Sequence, residues 1–439
     1  MRKNLFGTDG IRGPVGNQPL TQQSLIRLGN ALGQWVIQFH GENKTILIGH
    51  DTRKSCSFIK AALHTGLLLN PITIYDAQVL PTPTVSQLVQ KTDLFACGII
   101  ISASHNPHQD NGIKLITKHG KLGEEDETML TELFYENEKN KIHYNHLGTQ
   151  ESWPDGQRLY SAHVASFFEP NFLRGITVAL DCAHGATYKI APSLFKQFGA
   201  YTHVINRHPN GTNINHECGS VYPEQLQKEV IKHNADAGFA FDGDGDRVIA
   251  VNKNGEVKNG DDILALLLAH SNYKKQSALV GTCITNYGFE RFLQQHDKKL
   301  IRAAVGDKYV VQKLYEHDLL LGGEQSGHII MRDYLDSGDG IFTALRVLQT
   351  MIQTSNWTMN SFTTYPQVQI NIPIYEKKDL SKEPIASIIA THKTRLPDGR
   401  LVVRYSGTEN VLRIMVEDTD ATHAEFLAHD LSHALQNQL

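Results

Sequence analysis

The stretch DGDGDR at residues 242–247 sets Asp242, Asp244 and Asp246 at alternate positions, with Gly243 and Gly245 between them and Arg247 directly after. On an extended strand, side chains two residues apart share a face but stand roughly 6.6–7 Å apart. That is too wide for three carboxylates to grip one small cation at about 2.1 Å. The chain must turn here, and the glycines permit turn conformations that other residues adopt only at a cost. Three repelling carboxylates on one tight loop suit a divalent cation with oxygen ligands. The competing reading is a solvated acidic turn. An EF-hand is excluded: counting from Asp242, Arg247 and Lys253 stand where that loop requires Gly and Glu.

Three further stretches carry chemistry. In IISASHNPHQDNGIKL (100–115), an apolar run ends at Ser102 and Ser104, followed by His105 and Asn106. A serine nucleophile needs a neighbouring base or electrophilic help. No G-x-S-x-G elbow surrounds Ser104, so a polar capping turn is the plainer reading of this stretch alone. GGEQSGH (322–328) offers Glu324, Ser326 and His328 on a tight turn. An acid and a hydroxyl at alternate positions suit the neighbouring hydroxyls of a sugar, although an ordinary strand-to-helix turn would look the same. RYSGTEN (404–410) combines Arg404 with small hydroxyl residues and backbone N–H groups, a ready phosphate cradle to which Arg413 could add charge. No G-x-x-x-x-G-K-[ST] occurs, so a nucleotide P-loop is not the source of phosphate binding.

These loops need elements to hold them. Ala237–Phe241 reads as the strand that delivers the aspartates. Thr21 is a suitable N-cap for a helix over 22–39, where Leu25, Ile26, Leu28, Leu32, Trp35 and Val36 recur at helical spacing. TILIGH (45–50), PITIYDA (71–77) and FACGIIIS (95–102) read as strands separated by helical segments, the order of βαβ units. The polar stretch 138–157 reads as a linker. Asp261 and Asp262 should cap a helix within 254–271. From about 366 the pattern changes to strands plus a final helix, a smaller α+β unit. Three units repeat one habit, an apolar strand followed by a glycine-rich turn, and such turns sit where α/β sheets bind ligands.

Bulk properties exclude several classes. A chain of 439 residues is long enough for several domains, and a net charge of −4 gives no general attraction to nucleic acid or an anionic membrane. No apolar run approaches the ~20 residues of a membrane span, and the N-terminus lacks the apolar core of a signal peptide. Five cysteines, odd in number and without a C-x-x-C pair, read as reduced thiols of a cytoplasmic protein.

Together, FGTDGIRG (6–13), SASHNP (102–107), DGDGDR (242–247), GGEQSGH (322–328) and RYSGTEN (404–410) occur in an order and spacing that resemble the α-D-phosphohexomutases over essentially the whole chain. The resemblance implies three related mixed α/β domains plus a smaller C-terminal α+β domain around a central cleft. The implied spans are 1–153 with the phosphoserine loop, 154–254 with the metal loop, 255–365 with the sugar loop and 366–439 with the phosphate loop. By the same resemblance, Ser104 matches the phosphoserine. Asp242, Asp244 and Asp246 match ligands of one Mg²⁺, completed by a phosphate oxygen on Ser104. Arg247, Glu324 and Ser326 match substrate binders, and Arg404, Ser406, Gly407 and Thr408 match the phosphate loop. Arg12, His105, Lys114 and His328 match residues lining the transfer site.

The wording of FGTDGIRG, GEQSGH and SGDGI (337–341) is most similar to family members acting on glucosamine phosphates. It implies exchange between glucosamine 6-phosphate and glucosamine 1-phosphate, with glucosamine 1,6-bisphosphate as intermediate or primer. The implied partner is a small phosphosugar, with no nucleic acid and no membrane, and a homodimer stays open. A phosphomannomutase/phosphoglucomutase activity, a non-catalytic sugar-phosphate sensor and a serine-dependent phosphatase also stay open. His184, Lys308 and Asn410 depart from the residues common in relatives, Asn, Arg and Pro respectively, while keeping polarity or charge.

Overall fold

The computed structural model describes residues 5–7, 9–39, 41, 43–136, 147–406, 410–436 and 438. The expected sites Gly407 and Thr408 lie outside the described residues.

Four sheets follow one another along the chain. The first contains β1 (Ile11–Pro14), β2 (Thr45–His50), β3 (Thr73–Val79), β4 (Cys97–Ile101), β5 (Asp110–Thr117), β6 (Gly120–Lys121) and β7 (Thr149–Ser152). Their order is β1-β5-β4-β2-β3-β7, with β6 paired to β5. The second contains β8 (Thr177–Asp181), β9 (Tyr201–Ile205), β10 (Ala237–Phe241), β11 (Val248–Asn252) and β12 (Val257–Lys258), in the order β12-β11-β10-β8-β9. The third contains β13 (Ala278–Thr282), β14 (Lys299–Ala303), β15 (Leu321–Gly323), β16 (Ile329–Met331) and β17 (Leu335–Gly338), in the order β14-β13-β15-β16-β17.

These three sheets share a device that positions the chemistry. In each, a central strand runs parallel to one neighbour and then turns back antiparallel into the next. β4 lies parallel to β2 and antiparallel to β5. β10 stands in the same relation to β8 and β11, and β15 to β13 and β16. The three central strands are buried along their whole length, as strands covered on both faces must be. Their turns carry Ser104, the aspartates and Glu324.

Helices cover the faces. The helix Gln22–Phe39 has the expected bounds, and Thr21 caps it by accepting the Ser24 N–H at 3.3 Å. Its apolar stripe, including Leu25, Leu28, Leu32, Trp35 and Val36, is buried. The fourth sheet is antiparallel, β18 (Gln367–Pro373), β20 (Val411–Glu417) and β19 (Arg400–Tyr405) in that order, under helices Ile385–Thr394 and Ala421–Gln436. Ile372, Leu412, Ile414, Val416, Leu427 and Leu431 form its own core.

Three expectations need correction. Within the presumed linker, 149–152 is a strand parallel to β3, added at the sheet edge by backbone bonding that its exposed polar side chains do not signal. The helix expected within 254–271 spans only Gly260–Leu267. Its N-cap is Asn259, whose side chain accepts from Asp261 and Asp262 N–H while Asp262 reaches back in a capping box. Asp261 instead turns inward and accepts the Asn286 N–H at 2.9 Å. Lastly, GGEQSGH joins two antiparallel strands and is no strand-to-helix turn.

Candidate active site

Ser104 sits in the turn leaving β4, fully buried, with φ of +52°. A non-glycine residue in this left-handed region persists only where its surroundings impose it. Here they do. The Ser104 N–H donates to Ser102 Oγ at 2.9 Å, and Ser102 Oγ donates to Asp51 Oδ2 at 2.6 Å. Asp51 also pairs with Arg53 Nε at 2.9 Å. The Arg53 guanidinium then donates to the carbonyls of Ser104, Asn106, Pro107 and Asp110. Asn215, from the second sheet's side, donates to the Ser104 carbonyl at 2.8 Å. Ser104 Oγ therefore has a fixed direction, and it donates to Asp242 Oδ2 at 2.5 Å.

The aspartate loop leaves β10 and is tied to both neighbouring units. Thr82 N–H donates to the Asp244 carbonyl at 2.8 Å and Thr82 Oγ1 to Asp244 Oδ2 at 2.5 Å. Gly340 N–H donates to the Gly245 carbonyl at 3.0 Å, and Val248 N–H to the Gly327 carbonyl at 3.1 Å. Asp242, Asp244 and Asp246 are buried, with one carboxylate oxygen of each within 4.8 Å of the others. Oδ1 of Asp244 and Oδ1 of Asp246 are buried without a hydrogen-bond partner. Unsatisfied buried carboxylate oxygens are costly, and oxygens gathered this closely fit a hard divalent cation.

Lys114 Nζ lies 2.8 Å from Asp244 Oδ2 and 2.9 Å from Asp246 Oδ2. Burial opposes its charge, but Asp244, Asp246 and Asp9 raise its pKa well above the usual lysine range. Burial raises the Asp242 carboxyl, helped by Asp246 and Asp244. Asp246 is pulled the other way, because Lys114 and His328 outweigh burial. His105 Nδ1 is 3.5 Å from Ser104 Oγ. Burial, then Arg247 and Arg12, push this imidazole down to about 4, so it is neutral at physiological pH. His328 Nδ1 is 3.6 Å from Asp246 Oδ1, and its Nε2 accepts the Gly338 N–H at 3.0 Å. Arg247 donates its backbone N–H to Asp242 Oδ1 at 3.2 Å and holds its Nε 3.8 Å from Asp246 Oδ1. Arg12 pairs with Asp9, which also pairs with Lys114 at 3.4 Å.

The structure thus brings together Ser104, His105, Lys114, Arg12, the three aspartates, Arg247 and His328. Glu324 is buried in the next turn, accepting the Gly306 N–H at 2.9 Å, and its charge helps hold Arg247 protonated. Ser326 is exposed on the same turn. Arg404 lies near the end of β19, and Ser406 follows that strand. Arg404 lies directly across the ladder from Arg413, so two guanidinium side chains share one face. Two guanidinium groups on one face give it the positive charge that suits an anion.

The site contains residues that motif reading passed over: Asp51, Arg53, Thr82 and Asn215, which hold the loops, and Asp9, Lys121 and Asp307, which carry charge. Asp9 lies within FGTDGIRG and Asp51-Thr52-Arg53 at a strand end, so both stood at legible positions. Lys121 and Asp307 carried no sequence signal.

Four family profiles match the chain in order: phosphoglucomutase/phosphomannomutase alpha/beta/alpha domain I over residues 3–141, domain II over 158–255, domain III over 259–365 and the C-terminal domain over 370–434. A phosphoglucosamine mutase of Campylobacter curvus is 40% identical over 94% of both chains. One of Nitratidesulfovibrio vulgaris is 38% identical over the full length of both. A phosphoglucomutase/phosphomannomutase family protein of Burkholderia thailandensis shares the fold, with a TM-score of 0.81 at 20% identity, covering 100% of this chain and 98% of that one. The Aspergillus fumigatus N-acetylphosphoglucosamine mutase, solved in complex with GlcNAc-6P and magnesium, has a TM-score of 0.65 at 15% identity, covering 99% and 95%. The chain belongs to the phosphoglucomutase/phosphomannomutase family, the α-D-phosphohexomutases.

Proposed function

We propose that this protein is a phosphoglucosamine mutase, interconverting glucosamine 6-phosphate and glucosamine 1-phosphate and so supplying UDP-N-acetylglucosamine synthesis. The observation that carries the reading is the fixed Ser104 Oγ, 2.5 Å from a carboxylate of the three-aspartate loop. Identity of 38–40% to phosphoglucosamine mutases over nearly the whole chain supports the substrate.

In the forward half-reaction, a phosphoryl group on Ser104 passes to the free hydroxyl oxygen of the sugar. The new P–O bond forms as the bond to Oγ breaks, and the hydroxyl proton leaves to a neighbouring base. The glucosamine 1,6-bisphosphate then reorients, and its other phosphoryl returns to Ser104. Asp242, Asp244 and Asp246 would hold Mg²⁺ together with a phosphate oxygen on Ser104, the ion neutralising charge that develops during transfer. Lys114 and Arg247 add fixed positive charge at the same place. His105, kept neutral, offers a proton acceptor 3.5 Å from Ser104 Oγ, beyond the Asp242 carboxylate at 2.5 Å. Glu324 and Ser326 read the sugar hydroxyls. Arg404 and Ser406, with Gly407 and Thr408, hold the phosphate that does not react in that half-cycle.

We divide the chain into domains 1–153, 154–254, 255–365 and 366–439; the four sheets support this order, although β12 (Val257–Lys258) of the second sheet lies just past the 254 boundary. No helix among the described residues is long and apolar enough to cross a membrane. The free cysteines support the cytoplasmic reading. Turnover of glucosamine, glucose and mannose 6-phosphates, each with and without excess chelator, tests the assignment. Preference for the glucosamine substrate, abolished by chelator, is expected. Preference for glucose or mannose 6-phosphate would assign the phosphoglucomutase/phosphomannomutase activity instead.

A further inference from the structure

Around the reacting centre charged and polar side chains close into a ring. Asp246 pairs with Lys114, Lys114 with Asp9, Asp9 with Lys121 and Lys121 with Asp307 at 2.6 Å, while the His328 ring fills the gap, its Nε2 3.4 Å from Asp307 and its Nδ1 3.6 Å from Asp246. Its members come from three units. Asp9, Lys114 and Lys121 belong to the first sheet and its N-terminal loop. Asp246 follows β10. Asp307 begins the helix Asp307–Glu316, and His328 precedes β16. Lys121 is the only ring cation that joins the first unit to the third.

Its place in the packing is equally specific. On one side lies a cavity of about 340 Å³ between the first and third units, lined by Lys121, Leu122, Glu124, Asp307, Lys308 and Tyr309 among others. On the other lies a void of about 20 Å³ against Asp9 and Lys114. Lys121 lines both, so its side chain stands in the wall between the larger cavity and the groups around Ser104. The Lys121 side chain is about one-fifth exposed, and its ammonium is held between the carboxylates of Asp9 and Asp307. Those partners belong to different units, so the pairing holds only while the units are closed.

We infer that Lys121, bridging Asp9 and Asp307, is a positioning residue that latches the first unit to the third and keeps water from the phosphoserine. The inference rests on the phosphoserine reading above. Without the latch, a water oxygen attacks the phosphorus on Ser104, the P–Oγ bond breaks, and the proton lost by water passes to the serine. Inorganic phosphate leaves, and the enzyme is left unphosphorylated.

The test uses the phosphorylated full-length enzyme and measures glucosamine 6-phosphate turnover and inorganic phosphate release together. K121A and D307N should each lower kcat by about 10- to 100-fold, the range for a displaced reacting group. KM should stay near the wild-type value, and the phosphate released per sugar isomerised should rise by a similar factor. K121R, which keeps the charge and reach, should restore both readouts. D307N leaves Lys121 paired to Asp9, so it reads the seam even if K121A folds poorly. Wild-type phosphate release per turnover in folded D307N and K121A would overturn the latch. So would a raised KM at unchanged kcat, which would make Lys121 a substrate binder. A wild-type enzyme that neither isomerises the sugar nor carries phosphate on Ser104 would overturn the functional reading and the latch with it.

Discussion

Gly243 separates the first two aspartates, and replacing it with alanine perturbs the site at one defined place. Its backbone needs no left-handed conformation, so the substitution acts through space alone. A Cβ there would stand 2.6 Å from the Ser104 carbonyl oxygen, 2.8 Å from Asn215 Nδ2 and 2.8 Å from Ile214 Cδ1. Ordinary contact begins near 3.4 Å, so the aspartate loop and the serine loop must part by about 0.8 Å. The serine side cannot easily yield, because Arg53 and Asn215 both hold that carbonyl. The 2.5 Å contact between Ser104 Oγ and Asp242 takes up the displacement. A misplacement of about 1 Å costs on the order of 100-fold in rate, so Gly243→Ala should lower kcat by roughly 30- to 100-fold. KM should change little, because Glu324 and the β19–β20 turn are untouched. Gly123→Ala, whose Cβ would meet nothing closer than 3.9 Å, is the control and should be silent. Steady-state kinetics of both variants, with far-UV circular dichroism, is the assay. A Gly243→Ala enzyme within about twofold of wild-type kcat would refute the argument that these two loops must touch to react.

Two more predictions follow from single groups. Arg404→Ala removes one charge-assisted phosphate contact worth about 1.5–3 kcal/mol, so KM should rise roughly 10- to 150-fold with a smaller loss in kcat; a KM within twofold of wild type would place the phosphate elsewhere. Burial, with Asp262 and Glu417 adding to it, pushes the Asp261 carboxyl up to about 7, above its ordinary value of 3.8. Between about pH 4 and pH 7 the folded protein therefore keeps a proton that the unfolded chain has released, and stability falls as pH rises through that window. Asp261→Asn should raise Tm relative to wild type at pH 8 by more than at pH 4.5; an equal difference at both pH values would refute the shift.

Much of this arrangement was legible because local pattern and tertiary role agreed. Ala237–Phe241 and Gln22–Phe39 have the bounds their apolar spacing implies, since both bury the faces that pattern defines. The motif residues Ser104, Asp242, Asp244 and Asp246 lie on turns, where ligand-binding groups concentrate. What stayed hidden depends on partners distant in sequence. Arg53 holds four carbonyls more than fifty positions away, and Lys121 matters only because Asp307 arrives from another sheet. The strand at 149–152 has exposed polar side chains and is held by backbone bonds to β3, which leave no mark on composition. Asn259 outcompeted the acidic residues as a cap because its side chain reaches two backbone N–H groups at once.

The central claim is that Ser104 carries the phosphoryl group during sugar isomerisation. Conversion of glucosamine 6-phosphate to glucosamine 1-phosphate, followed by a coupled assay for wild type and Ser104→Ala side by side, tests it most directly. The account predicts turnover by wild type and none above background by Ser104→Ala, with matching circular dichroism spectra. Wild-type turnover by Ser104→Ala would contradict it.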